Sequence, residues 1–132
     1  MYLQMSSIEL KSYIVHTVCD NFSDPSFNVQ RLSYRLRISN SYLRELTFKY
    51  FNTTPQKFIE TRRLELSLKL ISEGININNV ATKCGYTSIH PFNLAFKRRI
   101  GKNPSTMKKI IKKYPSKTKI IVEIFRKKLL NE

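Results

Sequence analysis

The sequence predicts an all-α fold in which a long linker helix joins two helix-turn-helix units, with about seven helices and a C-terminal extension. Apolar residues recur at helical spacings of three and four, and Pro, Gly, Ser and Asn stand where helices should start or stop. A pattern of helix, tight turn and helix also occurs twice. The predicted units cover residues 1–54 and 75–114, the linker helix covers 55–74, and the extension covers 115–132.

The first unit should open with a helix that is capped by Ser6 or Ser7 and runs to about Phe22. Its apolar residues repeat every fourth position and form one stripe: Leu10, Ile14, Val18 and Phe22. Polar residues and Pro25 then break the helix. A second helix is predicted from about Asn28 to Leu36, with Val29, Leu32 and Leu36 on its inner face.

The third predicted helix completes the first unit. Ile38 should pack from the turn, and the following residues Ser39, Asn40 and Ser41 are possible caps. The helix should end near Phe51, with an inward face made of Leu43, Leu46 and Tyr50.

The linker helix is predicted from Pro55, a residue favoured in a first helical turn, to about Glu73, and Gly74 ends it. Its predicted inward residues are Phe58, Ile59, Leu66, Leu70 and Ile71, whereas Arg62, Arg63 and Lys69 should lie near the outside. Such a helix is about 27 Å long. This length is comparable with the roughly 34 Å between major-groove faces on one side of B-DNA, so the helix can set the separation of two recognition helices.

The second unit is predicted from a short helix that carries Val80, Ala81 and Cys84 on its apolar side and stops at Gly85. Thr87 or Ser88 can cap the next helix, and Pro91 suits its first turn. The core side of that helix should hold Phe92, Ala95, Phe96 and Ile100. Gly101 and Pro104 are stop signals for it.

Two elements should follow the second unit's turn and helix. A short closing helix is predicted from Ser105 to about Lys113, with its apolar face at Met107, Ile110 and Ile111. In the extension, the run KIIVEIF fits either a strand or a helix. Ile121, Phe125 and Leu129 share a helical face, which favours the helix.

Charge is the strongest compositional signal. Lys and Arg number 24 and Asp and Glu 9, which gives a net charge of +15 at pH 7. Such a field attracts phosphate polyanions or anionic membrane surfaces. The sequence shows no signal peptide and no transmembrane span, so a cytoplasmic protein is expected. Cys19 and Cys84 should both be reduced and buried on apolar faces.

Catalysis and metal binding are not expected. The chain has no Gly-rich phosphate loop, no nucleophile motif and no obvious carboxylate pair, so we predict that it is not an enzyme and needs no cofactor. His16 and Cys19 are spaced at i and i+3, but zinc requires four ligands, and Cys84 and His90 belong to the other unit. No metal site is predicted.

From about Ser7 to Lys113, the sequence resembles the DNA-binding domain of AraC/XylS-type bacterial transcription regulators. The second unit carries the resemblance most specifically, through VATKCGY, then F-x-L-A-F-K-R-R, then I-G-K-N-P-S. The first unit and the linker match through VQRLSYRLRISNSYLREL and TTPQKFIETRRLELSLKLI. The chain departs from the family's usual residues at five positions: Arg37 and Asn52 replace Gly, Thr47 replaces Phe, Leu94 replaces Arg, and Met107 replaces an aromatic residue.

The resemblance implies sequence-specific DNA binding, in which the second helix of each unit enters a major groove. The base-reading candidates lie near the start of those helices: Asn40, Ser41, Arg44 and Glu45 in the first unit, and Ser88, Ile89, His90 and Asn93 in the second. Arg44 can donate twice to guanine, and Glu45 can accept from cytosine. Asn93 suits adenine, and Ile89 suits a thymine methyl group. The phosphate candidates are basic: Lys49, Arg62, Lys97 and Arg98.

Double-stranded DNA and RNA polymerase are therefore the expected partners, with the chain either a monomer on DNA or a dimer through its extension. An alternative is a protein-interaction module that modulates transcription through polymerase or another regulator without specific DNA readout. Attachment to anionic membranes through the basic extension is a third possibility, but we expect no membrane partner.

Overall fold

The computed structural model describes residues 5–130, and the predictions that fall on residues 1–4 and 131–132 lie outside that range. Eight α-helices form this part of the chain: α1 Ser7–Asn21, α2 Val29–Leu36, α3 Asn40–Phe51, α4 Pro55–Ser72, α5 Ile77–Lys83, α6 Ile89–Ile100, α7 Pro104–Lys113 and α8 Thr118–Leu130. A 3₁₀ turn, Pro115–Lys117, precedes α8. The all-α prediction is confirmed. Among the helices within residues 5–130, none combines the length and the apolar composition of a transmembrane span.

Two hydrophobic cores share the linker helix α4. The first core contains the apolar faces of α1, α2 and α3 together with Phe58 and Ile59 from the start of α4. The second core contains Leu64, Leu68 and Ile71 from the rest of α4, together with buried residues of α5, α6, α7 and α8. The linker helix thus contributes buried residues to both cores.

Side-chain caps start the helices of the first unit, as their sequences predict. The side chain of Ser6 accepts the backbone N–H of Glu9 at 3.2 Å, and that of Asn28 accepts the N–H of Arg31 at 2.9 Å. Thr54 caps α4, which has Pro55 in its first turn. These bonds satisfy N–H groups that have no partner within the helix.

A residue with a left-handed backbone conformation ends each of three helices, α2, α3 and α6. Arg37 has φ 58° and Asn52 has φ 54°, while Gly101 after α6 has φ 93°. Arg37 stands at the end of α2, where its N–H donates to the carbonyl groups of Ser33 and Tyr34. A residue with a Cβ atom is strained in this conformation by roughly 1–2 kcal/mol, so the first turn forms despite an unfavourable residue.

The extension is helical, which confirms the preference for a helix over a strand in KIIVEIF. Helix α8 buries Ile121, Phe125 and Leu129 in the second core and packs mainly against α4 and α6. Arg126 on its outer side lies 3.5 Å from Glu65 of the linker helix, measured from Nε to Oε2.

Several sequence-based expectations about burial are wrong. Cys19 is exposed, because it lies one position beyond Val18 and off the stripe that α1 buries; Cys84 is buried as predicted, and both cysteines are free thiols. In α4, the prediction omitted Leu64 and Leu68, which are fully buried, whereas the predicted inward residues Leu66 and Leu70 are half-buried and pack against the second core. Because α4 serves two cores, its buried face shifts around the helix along its length.

Candidate nucleic-acid interface

The start of α3 presents the first set of candidate base-reading residues. Ser39 caps the helix by accepting the N–H of Tyr42 at 3.0 Å. Leu43 and Leu46 anchor the inner face in the first core. The opposite side carries four exposed polar residues at helical spacing: Asn40, Ser41, Arg44 and Glu45. This arrangement places hydrogen-bond donors and acceptors in a single outward-facing strip.

The side chains of Arg44 and Glu45 have no ion pair or hydrogen bond within residues 5–130, and both are exposed. Lys49, one turn further along α3, is also exposed and has its ammonium group 5.2 Å from the centre of the Tyr50 ring. Arg44 need not break an internal contact before it binds another molecule, and Lys49 need only leave its solvent-exposed contact with the Tyr50 ring. The first unit therefore offers an arginine and a lysine that are available to a ligand.

The start of α6 presents the second set. Ser88 occupies the cap position, but its side chain makes no capping hydrogen bond. Ser88 and His90 are exposed, whereas Ile89 and Asn93 are half-buried. Leu94, which lies one turn after His90 on the outer face, is 54% exposed. The outer strip of α6 is consequently more apolar and less accessible than that of α3.

The predicted phosphate-binding residues fall into two groups. Lys49 and Lys97 are exposed and have no carboxylate partner within the described range. Arg98 donates from Nη2 to Oε2 of Glu60 at 2.6 Å, and Arg62 donates from Nη1 to Oε1 of Glu65 at 3.3 Å. The Arg62 guanidinium also lies 5.6 Å from the centre of the Phe58 ring. Both arginines thus have partners on the linker helix.

Arg99 is a buried cation that sequence reasoning missed. Its side chain is 5% exposed and pairs with Oε1 of Glu60 at 2.8 Å. It also donates to Oγ1 of Thr61 at 2.9 Å and to the carbonyl group of Leu129 at 3.3 Å, so it joins α6, α4 and α8. The signal was present in the sequence, because position 99 follows the buried residues Ala95 and Phe96 by four and three residues.

Arg63 was predicted near the outside, and that prediction is wrong. Its side chain is half-buried and donates to three backbone carbonyl groups of the connection between α1 and α2. Position 63 follows the buried Ile59 by four residues and therefore lies on the same helical face. Phe27, in the same connection, is buried in the first core and was also missed because it lies outside a periodic segment.

Burial controls the ionisation of two groups near Arg63. It raises the pKa of the Cys84 thiol to about 12, with the charge of Arg63 acting in the opposite direction. Burial also raises the pKa of Tyr86, whose hydroxyl group has no hydrogen-bond partner in the described part of the chain. Both groups are uncharged at neutral pH.

No group of three or more His, Cys, Asp or Glu side chains within residues 5–130 has the geometry to hold a metal ion.

Comparison with known proteins points to one family. A family model described as a helix-turn-helix domain matches residues 32–110. The raffinose operon transcriptional regulatory protein RafR of Pediococcus pentosaceus is 32% identical over 110 residues, which are 83% of this chain and 39% of RafR. The Msm operon regulatory protein of Streptococcus mutans is 26% identical over 113 residues, or 83% of this chain and 41% of that protein. The chain thus spans less than half the length of these relatives.

The fold has a close structural counterpart. The C-terminal domain of the two-component response regulator yesN from Fusobacterium nucleatum superposes with a TM-score of 0.71 at 22% sequence identity. The similarity covers 74% of this chain and 96% of that domain. The double helix-turn-helix arrangement, the matching family model and these relatives together identify the chain as a member of the AraC-type helix-turn-helix family.

Proposed function

We propose that the chain is the DNA-binding part of a transcription regulator and that it reads a specific sequence by placing α3 and α6 in successive major grooves. The main support is the attachment of both helices to one rigid linker. That helix has 18 residues, so it is about 27 Å long and comparable with the roughly 34 Å groove repeat. The net charge of +15 favours a polyanionic partner.

The proposed contacts divide into base reading and phosphate binding. Arg44 and Glu45 on α3, with the neighbouring Asn40 and Ser41, are assigned to base edges. Ser88, Ile89, His90 and Asn93 on α6 have the same assignment. Lys49, Lys97, Arg62 and Arg98 are assigned to phosphates, which position a protein on the duplex without specifying its sequence. The exposed ion pair of Arg98 is weak enough to be exchanged for a phosphate contact.

A second function is favoured by one observation. Leu94 places an exposed apolar side chain on the outer face of α6, at a position where the family that the sequence resembles usually has arginine. Leucine cannot hydrogen-bond to a base edge, and an apolar side chain here suits contact with another protein such as RNA polymerase. In that case the second unit would modulate transcription through a protein partner, and specific DNA readout would be weak or absent. We propose a cytoplasmic location and no catalytic role for either function.

The first experiment is selection of bound sequences from a random duplex pool, followed by titration of the selected and a scrambled duplex at several salt concentrations. Specific readout predicts a preference for the selected duplex by a factor of about 10³ or more at physiological salt. Weak binding that is indifferent to sequence would contradict it and favour the protein-interaction function.

Two substitutions test the division of contacts. Arg44→Ala should weaken binding to the selected duplex by about 5- to 150-fold, because a bidentate contact to guanine contributes about 1–3 kcal/mol, and should change binding to the scrambled duplex much less. Lys97→Ala should weaken both complexes by a similar factor and lower the salt slope by about 1. Equal losses on both duplexes for both variants would show that the assigned roles are wrong.

A further inference from the structure

Arg63 connects the linker helix to the first unit through the backbone of that unit. Its Nε donates to the carbonyl group of Phe22 at 2.7 Å, and its Nη2 donates to that of Phe27 at 2.9 Å and that of Asp24 at 3.2 Å. These three carbonyl groups belong to the connection between α1 and α2, which follows the last turn of α1. The carbonyl group of Phe22 stands at the C-cap of α1, where it has no partner within the helix, so Arg63 caps α1 from a different element.

The same guanidinium also contacts the turn of the second unit. It lies 5.7 Å from the centre of the Tyr86 ring, a distance suited to a cation–π interaction. Gly85, immediately before Tyr86, is buried and has φ 95°. A Cβ atom at Gly85 would overlap the carbonyl oxygen of Phe22 and lie 2.9 Å from Nε of Arg63. The backbone of the first unit therefore lies directly against the turn of the second.

The location of this contact links it to both recognition helices. Helix α6 begins at Ile89, only three residues after Tyr86. On the other side, the connection from Phe22 to Asn28 leads directly into α2, the helix that precedes the turn and α3. Since Arg63 is near the middle of α4, it holds the two units together at the point where the linker passes from one core to the other.

We propose that Arg63 is a positioning residue that fixes the distance and angle between α3 and α6, and thereby the spacing of the two DNA half-sites that the protein accepts. This inference rests on the proposed function. A planar guanidinium suits the task because it can donate to several carbonyl groups in fixed directions while its face lies against an aromatic ring. A lysine at this position carries the same charge but cannot reproduce that fork of hydrogen bonds.

The spacing of half-sites provides a direct test. The selected duplex is remade with one or two base pairs added or removed between its half-sites, and the affinity ratio between the best and the altered spacing is measured. Wild-type protein should prefer its best spacing by a factor of about 10². Arg63→Met should reduce this ratio by about tenfold, because two loosely connected units can adjust to either spacing. The affinity of the protein for each half-site alone should be unchanged.

The matched control is Lys69→Met on the same helix. Lys69 is exposed, and its side chain forms no hydrogen bond or ion pair within residues 5–130, so this variant removes one positive charge and should leave the spacing ratio unchanged. Arg63→Lys should resemble Arg63→Met in the ratio, because retaining the charge does not restore the directed hydrogen bonds. A folded Arg63→Met variant with the wild-type ratio would overturn the proposal.

Circular dichroism establishes whether each variant is folded. If Arg63→Met does not fold, Arg63→Lys and Tyr86→Leu provide the test, because Tyr86→Leu retains the carbonyl contacts of Arg63 and removes only the ring. At least one of these two should show a reduced spacing ratio. Wild-type ratios in both would overturn the proposal.

A second measurement needs no DNA and separates this inference from the proposed function. Spin labels are attached at the native, exposed Cys19 in the first unit and at a thiol introduced by Lys109→Cys in α7; the buried Cys84, whose pKa is raised to about 12, should not react. Pulsed electron paramagnetic resonance should give one narrow distance distribution, and Arg63→Met should broaden it. Unchanged distances would overturn the positioning role even if DNA readout holds. Broadened distances without any specific DNA binding would instead refute the proposed function and the link to half-site spacing.

Discussion

The two proposed recognition helices, α3 and α6, differ in how their basic side chains are paired. On α3, Arg44 and Lys49 are exposed and have no carboxylate partner in the described part of the chain. On α6, Arg98 pairs with Glu60, and the adjacent Arg99 is buried among Glu60, Thr61 and the Leu129 carbonyl group. Internal contacts thus use much of the positive charge of α6. We therefore expect α3 to supply more of the sequence specificity and α6 to be held more firmly by the fold.

The turns that precede α3 and α6 also differ in what holds them in place. The first turn contains Arg37 in a left-handed conformation, and its recognition helix starts with a side-chain cap from Ser39. The second turn contains Gly85 against the backbone of the first unit, and its recognition helix has no side-chain cap at Ser88. The position of α3 depends on local bonding, whereas the position of α6 depends on contacts between the units.

The largest predicted effect is at Gly85. Gly85→Ala should destabilise the protein by about 2–5 kcal/mol, because it adds a steric overlap to the strain of a left-handed residue. Gly101→Ala is the matched control: φ is 93° instead of 95°, and no atom lies within 4 Å of the added Cβ. It should cost only about 1 kcal/mol. Urea unfolding measures the free energy of unfolding of both variants. An equal decrease in the two would show that the contact between the units is not tight at Gly85.

The caps provide the next comparison. Ser39→Ala should destabilise the protein by about 1 kcal/mol, because the N–H of Tyr42 loses its side-chain acceptor. Ser88→Ala should change stability by less than about 0.5 kcal/mol, since no capping bond is lost. The two variants can be compared by thermal unfolding under identical conditions. A loss at Ser88 as large as that at Ser39 would contradict the difference in how the two helices start.

The smallest predicted effect is a gain in stability at Arg37. Glycine adopts the left-handed conformation without the strain of roughly 1–2 kcal/mol, but it loses more chain entropy on folding, by about 0.5–1 kcal/mol. Arg37→Gly should therefore stabilise the first unit by about 0.5 kcal/mol. An increase in the urea midpoint with an unchanged slope would agree with this expectation. A decrease would mean that the contacts of the Arg37 side chain outweigh the strain.

The helices and most of the core were predictable because local signals agree with the fold. Apolar spacing and caps located α1, α2 and α3, and the shared face of Ile121, Phe125 and Leu129 identified α8 as a helix. Contacts between distant segments were not predictable in this way. Helical spacing places Arg63 and Arg99 on the same faces as buried residues, but it does not show which groups pair with their charges. Those partners, the backbone carbonyl groups at Arg63 and Glu60 at Arg99, come from other segments and are known only from the packing.

The candidate base-reading residues were placed partly by the resemblance and partly by helical spacing. The structure puts Asn40, Ser41, Arg44 and Glu45 on one exposed strip, but it gives Ile89 and Asn93 only half-buried positions at the start of α6. Periodicity assigns a residue to a helix face; it does not show how closely neighbouring segments cover the edge of that face. The role of each candidate base-reading residue in DNA recognition stays a prediction.

The shared linker helix has a consequence for cooperativity. Phe58 and Ile59 complete the first core, and Leu64, Leu68 and Ile71 complete the second, so unwinding α4 removes one wall from each. Neither unit can then retain its full buried surface when the other unfolds. We expect calorimetry to show a single heat-absorption peak, with calorimetric and van't Hoff enthalpies in agreement, in place of one transition for each unit.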